Sequence, residues 1–323
     1  VVKYQNGEMM IKQENIEQLF KVIDTGASIY SIAKEVSYMD GIALICEGIL
    51  NQEAALGLDF EKSQQINRLI KECSAINYQK EEIRKAMQLA ILKGLRASGR
   101  SNEQITPDTL GIFIAYLVQK LIPENRPLVL FDPLAGTGNL LVTVMNQLAQ
   151  SLTAILVEAD EQIAKIARVF LAMLEYNDDI YCQDTLTFKH IEADIMITDF
   201  SFPKTTEETM FPYQVFDHHK ENLRDDALVI AVIPDAFFDP EHQERFKKEL
   251  LGAYRAIGLI RLPQDLFSRR HKSILILKKG PNIREEKPAF LMADIPSFAD
   301  QDAFQPVLEK INQWFRESTL QKG

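Results

Sequence analysis

Cysteine is scarce in this chain. The three present, Cys46, Cys73 and Cys182, are odd in number and widely spaced. That excludes a disulfide framework and a cysteine-rich zinc site, and it suits a reducing cytoplasm. Long apolar runs are missing as well: none is longer than that of residues 227–233, which falls far short of the roughly 18–20 residues that cross a bilayer. No membrane partner is expected. No basic, apolar, small-residue leader opens the chain at Val1, so no export signal is expected either. Positive charge is in deficit, with 36 Lys and Arg against 46 Asp and Glu, a net charge of −10. A protein that grips nucleic acid alone through phosphates usually carries a basic surface. The balance therefore argues against autonomous binding of that kind and leaves room for a local basic patch or a basic partner. Fourteen glycines and thirteen prolines are ordinary counts, which excludes collagen-like and low-complexity classes.

What remains is a chain able to build a core, with 46% hydrophobic and 25% charged residues. At about 150 residues per domain, 323 residues predict two domains. Residues 14–97 carry a helical pattern. Ile16, Leu19, Phe20 and Ile23 recur at three-and-four spacing, as do Ile66, Leu69, Ile70 and Cys73, and then Ile83, Met87, Ala90, Ile91 and Gly94. Breaks are expected near Gly26, Asn51-Gln52 and Asn77-Tyr78, giving a small helical bundle. The small, polar stretch from Ala97 to Asn102 reads as a linker. Beyond Ile105, Thr106-Pro107-Asp108 reads as an N-cap with proline at the first helical position. Strands and helices then alternate: strands at 128–131, 154–157, 180–182, 194–198 and 227–233, helices at 139–150, 161–176 and 241–250. Strands at 256–261 and 273–278 follow, separated by a short loop, and a last helix covers 302–317. This alternation predicts an α/β fold with a doubly wound, mostly parallel sheet, Rossmann-like, ending in an antiparallel edge strand. The N-terminal helical domain spans 1–101 and the α/β domain 102–323.

The turn after the first strand reads Asp132-Pro133-Leu134-Ala135-Gly136-Thr137-Gly138-Asn139-Leu140. Its glycines let backbone amides approach a ligand at a helix N-terminus. A Walker loop ends in Gly-Lys-Ser/Thr, whereas Gly138 is followed by Asn139, so ATP by that route is excluded. A dinucleotide fingerprint needs a third glycine where Leu141 stands, and its pyrophosphate would meet the charge of Asp132. S-adenosylmethionine has no phosphate and carries an ammonium and a sulfonium, which make Asp132 an asset. Glu158, at the tip of the second strand beside Ala159, is placed to take ribose hydroxyls. Asp184, beside Thr185 after the third strand, is placed to bond an adenine amino group. Taken singly, the glycine turn also reads as a tight strand–helix turn with an acidic N-cap, and Glu158 as a solvated charge at a strand end. Together they suggest one crevice at three successive strand ends.

The fourth strand ends in Asp199-Phe200-Ser201-Phe202. Here the sequence resembles the N6-adenine DNA methyltransferases similar to the modification subunit of type I restriction systems. The family motif is Asp or Asn, two prolines and an aromatic. Asp199 and Phe202 keep the outer positions, while Phe200 and Ser201 replace the prolines. Thr106-Pro107 resembles the family's Thr-Pro motif, and residues 132–140 its cofactor loop. Residues 229–234, 258–263 and 272–279 resemble its later strands. The resemblance covers about 102–280 and implies a class I methyltransferase using S-adenosyl-L-methionine. It implies cofactor contacts from Thr106, Pro107, Asp132, Pro133, Ala135, Gly136, Thr137, Gly138, Asn139, Leu140, Glu158, Ala159, Asp184 and Thr185. It implies that Asp199 and the Phe200 carbonyl accept protons from the target amine while Phe202 stacks on an extruded base. Positioning and electrostatics suffice for such a transfer, so no metal is expected. The expected partner is nucleic acid, DNA first; since no base-reading domain is evident, either sequence readout needs a separate specificity partner or the substrate is not a specific DNA site. The other readings are amine methylation of RNA or protein, and a cofactor-binding pseudo-enzyme serving as a regulatory or scaffold module. Arg269-Arg270-His271-Lys272, in the last short loop, reads either as a phosphate contact or as a solvated turn.

Overall fold

The structure, a computed structural model, describes residues 11–100, 105–122, 126–148, 151–176, 178–202, 210–239, 244, 248, 250–267, 270–280 and 290–317. The chain divides into two compact units. One comprises Val1–Ile105, Ala135–Ala149 and Glu158–Cys182, and the other Thr106–Leu134, Gln150–Val157 and Gln183–Gly323.

The first unit opens with four helices, α1 (Gln13–Lys34), α2 (Tyr38–Asn51), α3 (Phe60–Ser74) and α4 (Lys80–Ala97). The break expected at Gly26 is absent, and α1 runs straight through it. A Cβ at Gly26 would lie 2.4 Å from the Ile45 side chain, so the glycine serves the close approach of α1 and α2 rather than a turn. The break falls instead at Glu35, in the left-handed conformation with φ 53°. Two further helices belong to this unit, α6 (Asn139–Gln147) and α7 (Glu161–Met173), together with strand β3 (Asp179–Cys182). Helix α4 packs on α6, and both α2 and α4 pack on α7. Asp160 caps α7, its carboxylate accepting the Ile163 N–H at 3.1 Å. Of the expected linker, Ala97–Arg100 end the described run and 101–102 lie outside it.

Among its described residues the second unit holds α5 (Asp108–Leu121) and seven strands: β1 (Leu128–Asp132), β2 (Leu152–Glu158, as far as Val157), β4 (Ala193–Asp199), β5 (Leu223–Pro234), β6 (Tyr254–Arg261), β7 (Lys272–Lys279) and β8 (Leu291–Asp294). They lie in the order β2-β1-β4-β5-β7-β6-β8. β1 runs parallel to β2 and β4, and β4 parallel to β5. β7 is antiparallel to both β5 and β6, so the expected late hairpin is present. The hairpin does not close the sheet, because β8 adds a further strand parallel to β6. Ala227–Ile233 is buried along its whole length, as a strand covered on both faces must be. Helix α8 (Phe211–His219), unforeseen in the sequence, packs Tyr213, Val215 and Phe216 into a core with Phe131, Met196, Phe200 and Phe237. The last helix, α9 (Gln301–Glu317), returns to α5, where Tyr116 donates to Asn312 at 2.9 Å and meets the edge of Phe315. Most of the expected helix 241–250 lies outside the described residues.

Candidate active site

In the first unit, the glycine turn depends on its two glycines. Gly136 (φ 53°) and Gly138 (φ 80°) occupy the left-handed region, where a Cβ is strained. Gly138 N–H donates to the Ala135 carbonyl at 2.8 Å, tightening the turn into α6. Glu158 then holds this turn from the end of β2. Its Oε2 accepts the Gly136 N–H at 3.0 Å, and its Oε1 accepts the Asp160 N–H at 2.8 Å. Each carboxylate oxygen keeps a lone-pair direction for a further donor. Ala135, Thr137, Gly138, Asn139 and Leu140 are buried, and the Thr137 hydroxyl is buried without a hydrogen-bond partner. Ala159 is exposed beside Glu158.

A residue that the sequence hid supports the same turn. Arg84, on α4, is completely buried and forks onto both oxygens of Glu81 at 2.7 Å. Its Nη1 also donates to Asn139 Oδ1 at 3.4 Å and to Thr143 Oγ1 at 3.2 Å. Asn146 adds a bond to Glu81 at 3.3 Å and accepts from Tyr176 at 2.8 Å. One face of the helical bundle is thereby tied to the first residue of α6. The only sequence signal for it was the Glu81–Arg84 spacing of three. The neighbouring Glu82 is buried too. Burial opposes its charge, but donors from Asn15, the Lys12 N–H and the Gln79 N–H outweigh it and hold its carboxyl below the usual range. At the α7 N-terminus burial likewise opposes the charge of Asp160. The Ile163 N–H and the Arg100 guanidinium, 2.8 Å away, prevail and lower its pKa.

In the second unit, Asp132 is buried at the end of β1 and its Oδ1 accepts the Leu134 N–H at 3.0 Å, shaping the turn past buried Pro133. Asp184 is exposed and caps a 3₁₀ turn, Thr185–Thr187, accepting the Leu186 N–H at 2.9 Å. Thr185 is buried on His219, with Oγ1 2.8 Å from Nε2. The other ring nitrogen, Nδ1, faces the Asn222 amide nitrogen at 2.9 Å. An amide N–H₂ only donates, so Nδ1 accepts and the proton sits on Nε2, donated to Thr185. Burial, and secondarily the neighbouring His218, push the His219 pKa down to about 3, which keeps the ring neutral.

The structure brings Thr106 and Asp199 together in a way the sequence did not suggest. Thr106 does not cap α5: the cap is Pro107, and the threonine hydroxyl donates to Asp199 Oδ2 at 2.8 Å. Asp199 Oδ1 accepts from Lys272 Nζ at 2.5 Å. Lys272 thus leaves the basic loop and opens β7 as a buried ion-pair partner, neither a phosphate contact nor a solvated charge. Of its loop neighbours, Arg269 lies outside the described residues, and Arg270 sets its guanidinium 5.0 Å from the Phe202 ring centroid. The Phe200 side chain is a core aromatic beside Phe216, and its N–H donates to the Val232 carbonyl at 2.9 Å, which fixes the backbone after Asp199. Phe202 is half-buried, edge-on to Phe267.

Glycine loop, strand-end acids and the β7 insertion together define a fold, and the comparisons agree with it. A family model described as the YtxK N-terminal helical domain matches residues 17–95, and one described as the spermine/spermidine synthase domain matches residues 136–262. The uncharacterized protein YtxK of Bacillus subtilis is 28% identical over 95% of this chain and 99% of its own. A crystal structure from Listeria monocytogenes, described as a putative class I S-adenosylmethionine-dependent methyltransferase, is 27% identical. It superposes with a TM-score of 0.83 over 94% of this chain and 100% of that one. This is the class I S-adenosylmethionine-dependent methyltransferase fold. At the level of fold alone, the methyltransferase subunit of a type I restriction-modification system from Streptococcus thermophilus is also similar. There the TM-score is 0.57 at 16% identity, covering 95% of this chain and 75% of that one. The turn has a donor and acceptor set that suits the cofactor of that fold. Glu158 offers carboxylate lone pairs for vicinal hydroxyls, the turn offers backbone amides, and the unpartnered Thr137 hydroxyl marks a polar contact left to make. Among the described residues no helix is long and apolar enough to cross a membrane, and no cluster of His, Cys, Asp and Glu is shaped for a metal ion.

Proposed function

We propose that this methyltransferase transfers a methyl group from S-adenosyl-L-methionine to the exocyclic amine of adenine in DNA. The observation that carries the reading is the Asp199 carboxylate at the C-terminal end of β4, with the Phe200 backbone pinned behind it and the Phe202 ring beyond. An exocyclic amine is a weak nucleophile because its lone pair is conjugated with the ring. A carboxylate and a backbone carbonyl accepting its protons bias the nitrogen toward a tetrahedral form, and Asp199 with the Phe200 carbonyl take those roles. Phe202 stacks on the base, which has left its duplex. The cofactor rests on Thr106, Pro107, residues 132–140 without Leu134, Glu158, Ala159, Asp184 and Thr185. In these assignments Thr106 contributes through its backbone and Pro107 through its ring, since the threonine hydroxyl is engaged by Asp199. The methyl group itself comes from the sulfonium of the bound cofactor.

With a net charge of −10, the chain takes its sequence specificity and much of its grip on DNA from a partner subunit. Its three described cysteines are free thiols, in keeping with a cytoplasmic setting. The segment up to residue 101 is taken as a helical domain that packs on α6 and α7 of the methyltransferase domain, which follows at 102–323. Limited proteolysis that cuts first near residue 100 and leaves two stable fragments supports that division, and a first cut within α4 or α6 refutes it. A second functional reading, a cofactor-binding module that transfers nothing, is favoured by one observation: both Asp199 oxygens already have donors. Transfer of labelled methyl groups from S-adenosylmethionine to single-stranded DNA, duplex DNA, RNA and polypeptide separates the readings. N6-methyladenine in DNA is the expected product. Label in RNA or protein alone replaces the substrate, and tight cofactor binding without any transfer favours the second reading.

A further inference from the structure

Lys272 is not where a surface lysine belongs. It sits at the first position of β7, opposite Pro234 at the end of β5, while Asp199 sits opposite Val232 on the other side of β5. Because β7 runs against its neighbours, its first residue arrives at the edge where the parallel strands end and ligands of such sheets bind. From there the side chain crosses the end of β5. Its Nζ lies 2.5 Å from Asp199 Oδ1, 4.8 Å from the centroid of Phe202 and 5.0 Å from that of Phe267. The lysine side chain is 3% exposed and the Asp199 side chain 12%.

These are the contacts that a target amine needs under the proposed reading: an oxygen of Asp199 to receive its proton and the ring of Phe202 beside it. Thr106 already takes the second oxygen, at 2.8 Å, and Arg270 lies 5.0 Å from the same ring. A pair of charges buried together gains little over an apolar pair of equal volume, because both lose their hydration. Stability alone therefore gives this position no reason to be lysine. An ammonium also has no lone pair, so Lys272 is an occupant of the position and not a nucleophile in it.

We propose that Lys272 is a resident occupant of the target-amine position, an intramolecular competitor that sets which substrates reach Asp199 and how fast. The inference rests on the amine-methyltransferase reading of the same site. A substrate amine binds only in the fraction of molecules whose lysine has swung away, and its apparent affinity and transfer rate are reduced by that fraction. A neutral amine must displace a charge to enter, which disfavours free nucleosides and favours polymers held by additional contacts.

The test compares wild type, Lys272→Met and Lys272→Arg, each first titrated with S-adenosylmethionine by calorimetry. Single-turnover methyl transfer to mixed-sequence, adenine-containing single-stranded DNA is then measured at saturating cofactor. Methionine keeps the apolar stem and removes the charge, and it should raise the rate about tenfold or more, the release expected of an occupant bound ten to one. Arginine keeps a cation beside Asp199, so its rate should stay below that of Lys272→Met. An equal or lower rate for Lys272→Met, with wild type measurably active, overturns the occupant role and leaves the methyltransferase reading standing. No transfer by wild type or either variant, with cofactor bound, overturns both the adenine reading and this inference. If Lys272→Met does not bind cofactor, Lys272→Gln takes its place under the same criteria.

Discussion

Between pH 7 and pH 5 this protein should lose about 2 kcal/mol of stability through a single side chain. His219 is fully buried between Thr185 and Asn222, with the ring edge-on to Phe131. Its pKa in the folded state is pushed down to about 3 by burial and by His218, whereas in the unfolded chain a histidine titrates near 6.5. Below 6.5 the unfolded chain therefore binds a proton that the native state refuses, so falling pH favours unfolding. The slope approaches roughly 1.4 kcal/mol per pH unit, and the loss relative to neutral pH reaches about 2 kcal/mol at pH 5. The carboxyls with lowered pKa, those of Glu82, Asp160 and Asp194, have the same sign. Their contribution is complete above the unfolded carboxylate range and is lost as pH falls through their lower folded values, beneath this window. Urea unfolding at pH 7 and pH 5 measures the difference, and His219→Gln should flatten it while retaining an N–H for Thr185. A wild-type difference under about 0.5 kcal/mol, beyond extrapolation error, or an equal slope in the variant would refute the argument.

Arg84→Met should cost about 3–5 kcal/mol in denaturant unfolding, because it leaves the Glu81 carboxylate half-buried without its guanidinium. Gly138→Ala should cost about 1–2 kcal/mol, the strain of a Cβ at φ 80°, and should weaken cofactor binding in calorimetry because the turn shifts. Thiol titration under native conditions should find Cys182 fast, since it is exposed. Burial covers Cys46 and Cys73 and raises their pKa, that of Cys73 to about 11, so both should react only on unfolding.

The strand and helix pattern was legible wherever one periodicity ruled, as in β1, β4, β5 and α7. It failed where long-range packing decides. Gly26 looks like a helix breaker until Ile45 is seen to need its missing Cβ. The strand β8 is short and half-exposed, and α8 is only nine residues long with Pro212 in its first turn, so neither announces itself. The candidate site divides in the same way. The glycine turn and Glu158 were readable because turn geometry and strand ends are local matters. The engagements of Arg84 with Asn139, Thr106 with Asp199, and Lys272 with Asp199 join residues 55, 93 and 73 positions apart. In the sequence each reads as an ordinary helical arginine, an N-cap threonine or a loop lysine, because only the tertiary fold supplies the partner.

The central claim, a cofactor seat built on Glu158 and the glycine turn, is tested most directly by titrating S-adenosylmethionine into wild type and Glu158→Ala. Glu158 holds two backbone amides and is assigned the ribose hydroxyls. Losing one charge-assisted bond to the ligand, worth about 1.5–3 kcal/mol, should weaken binding roughly 10- to 100-fold. Saturable one-to-one binding by wild type with that loss in the variant is the predicted result. Equal affinity in the two proteins, or no binding by wild type while NAD or ATP does bind, contradicts the account.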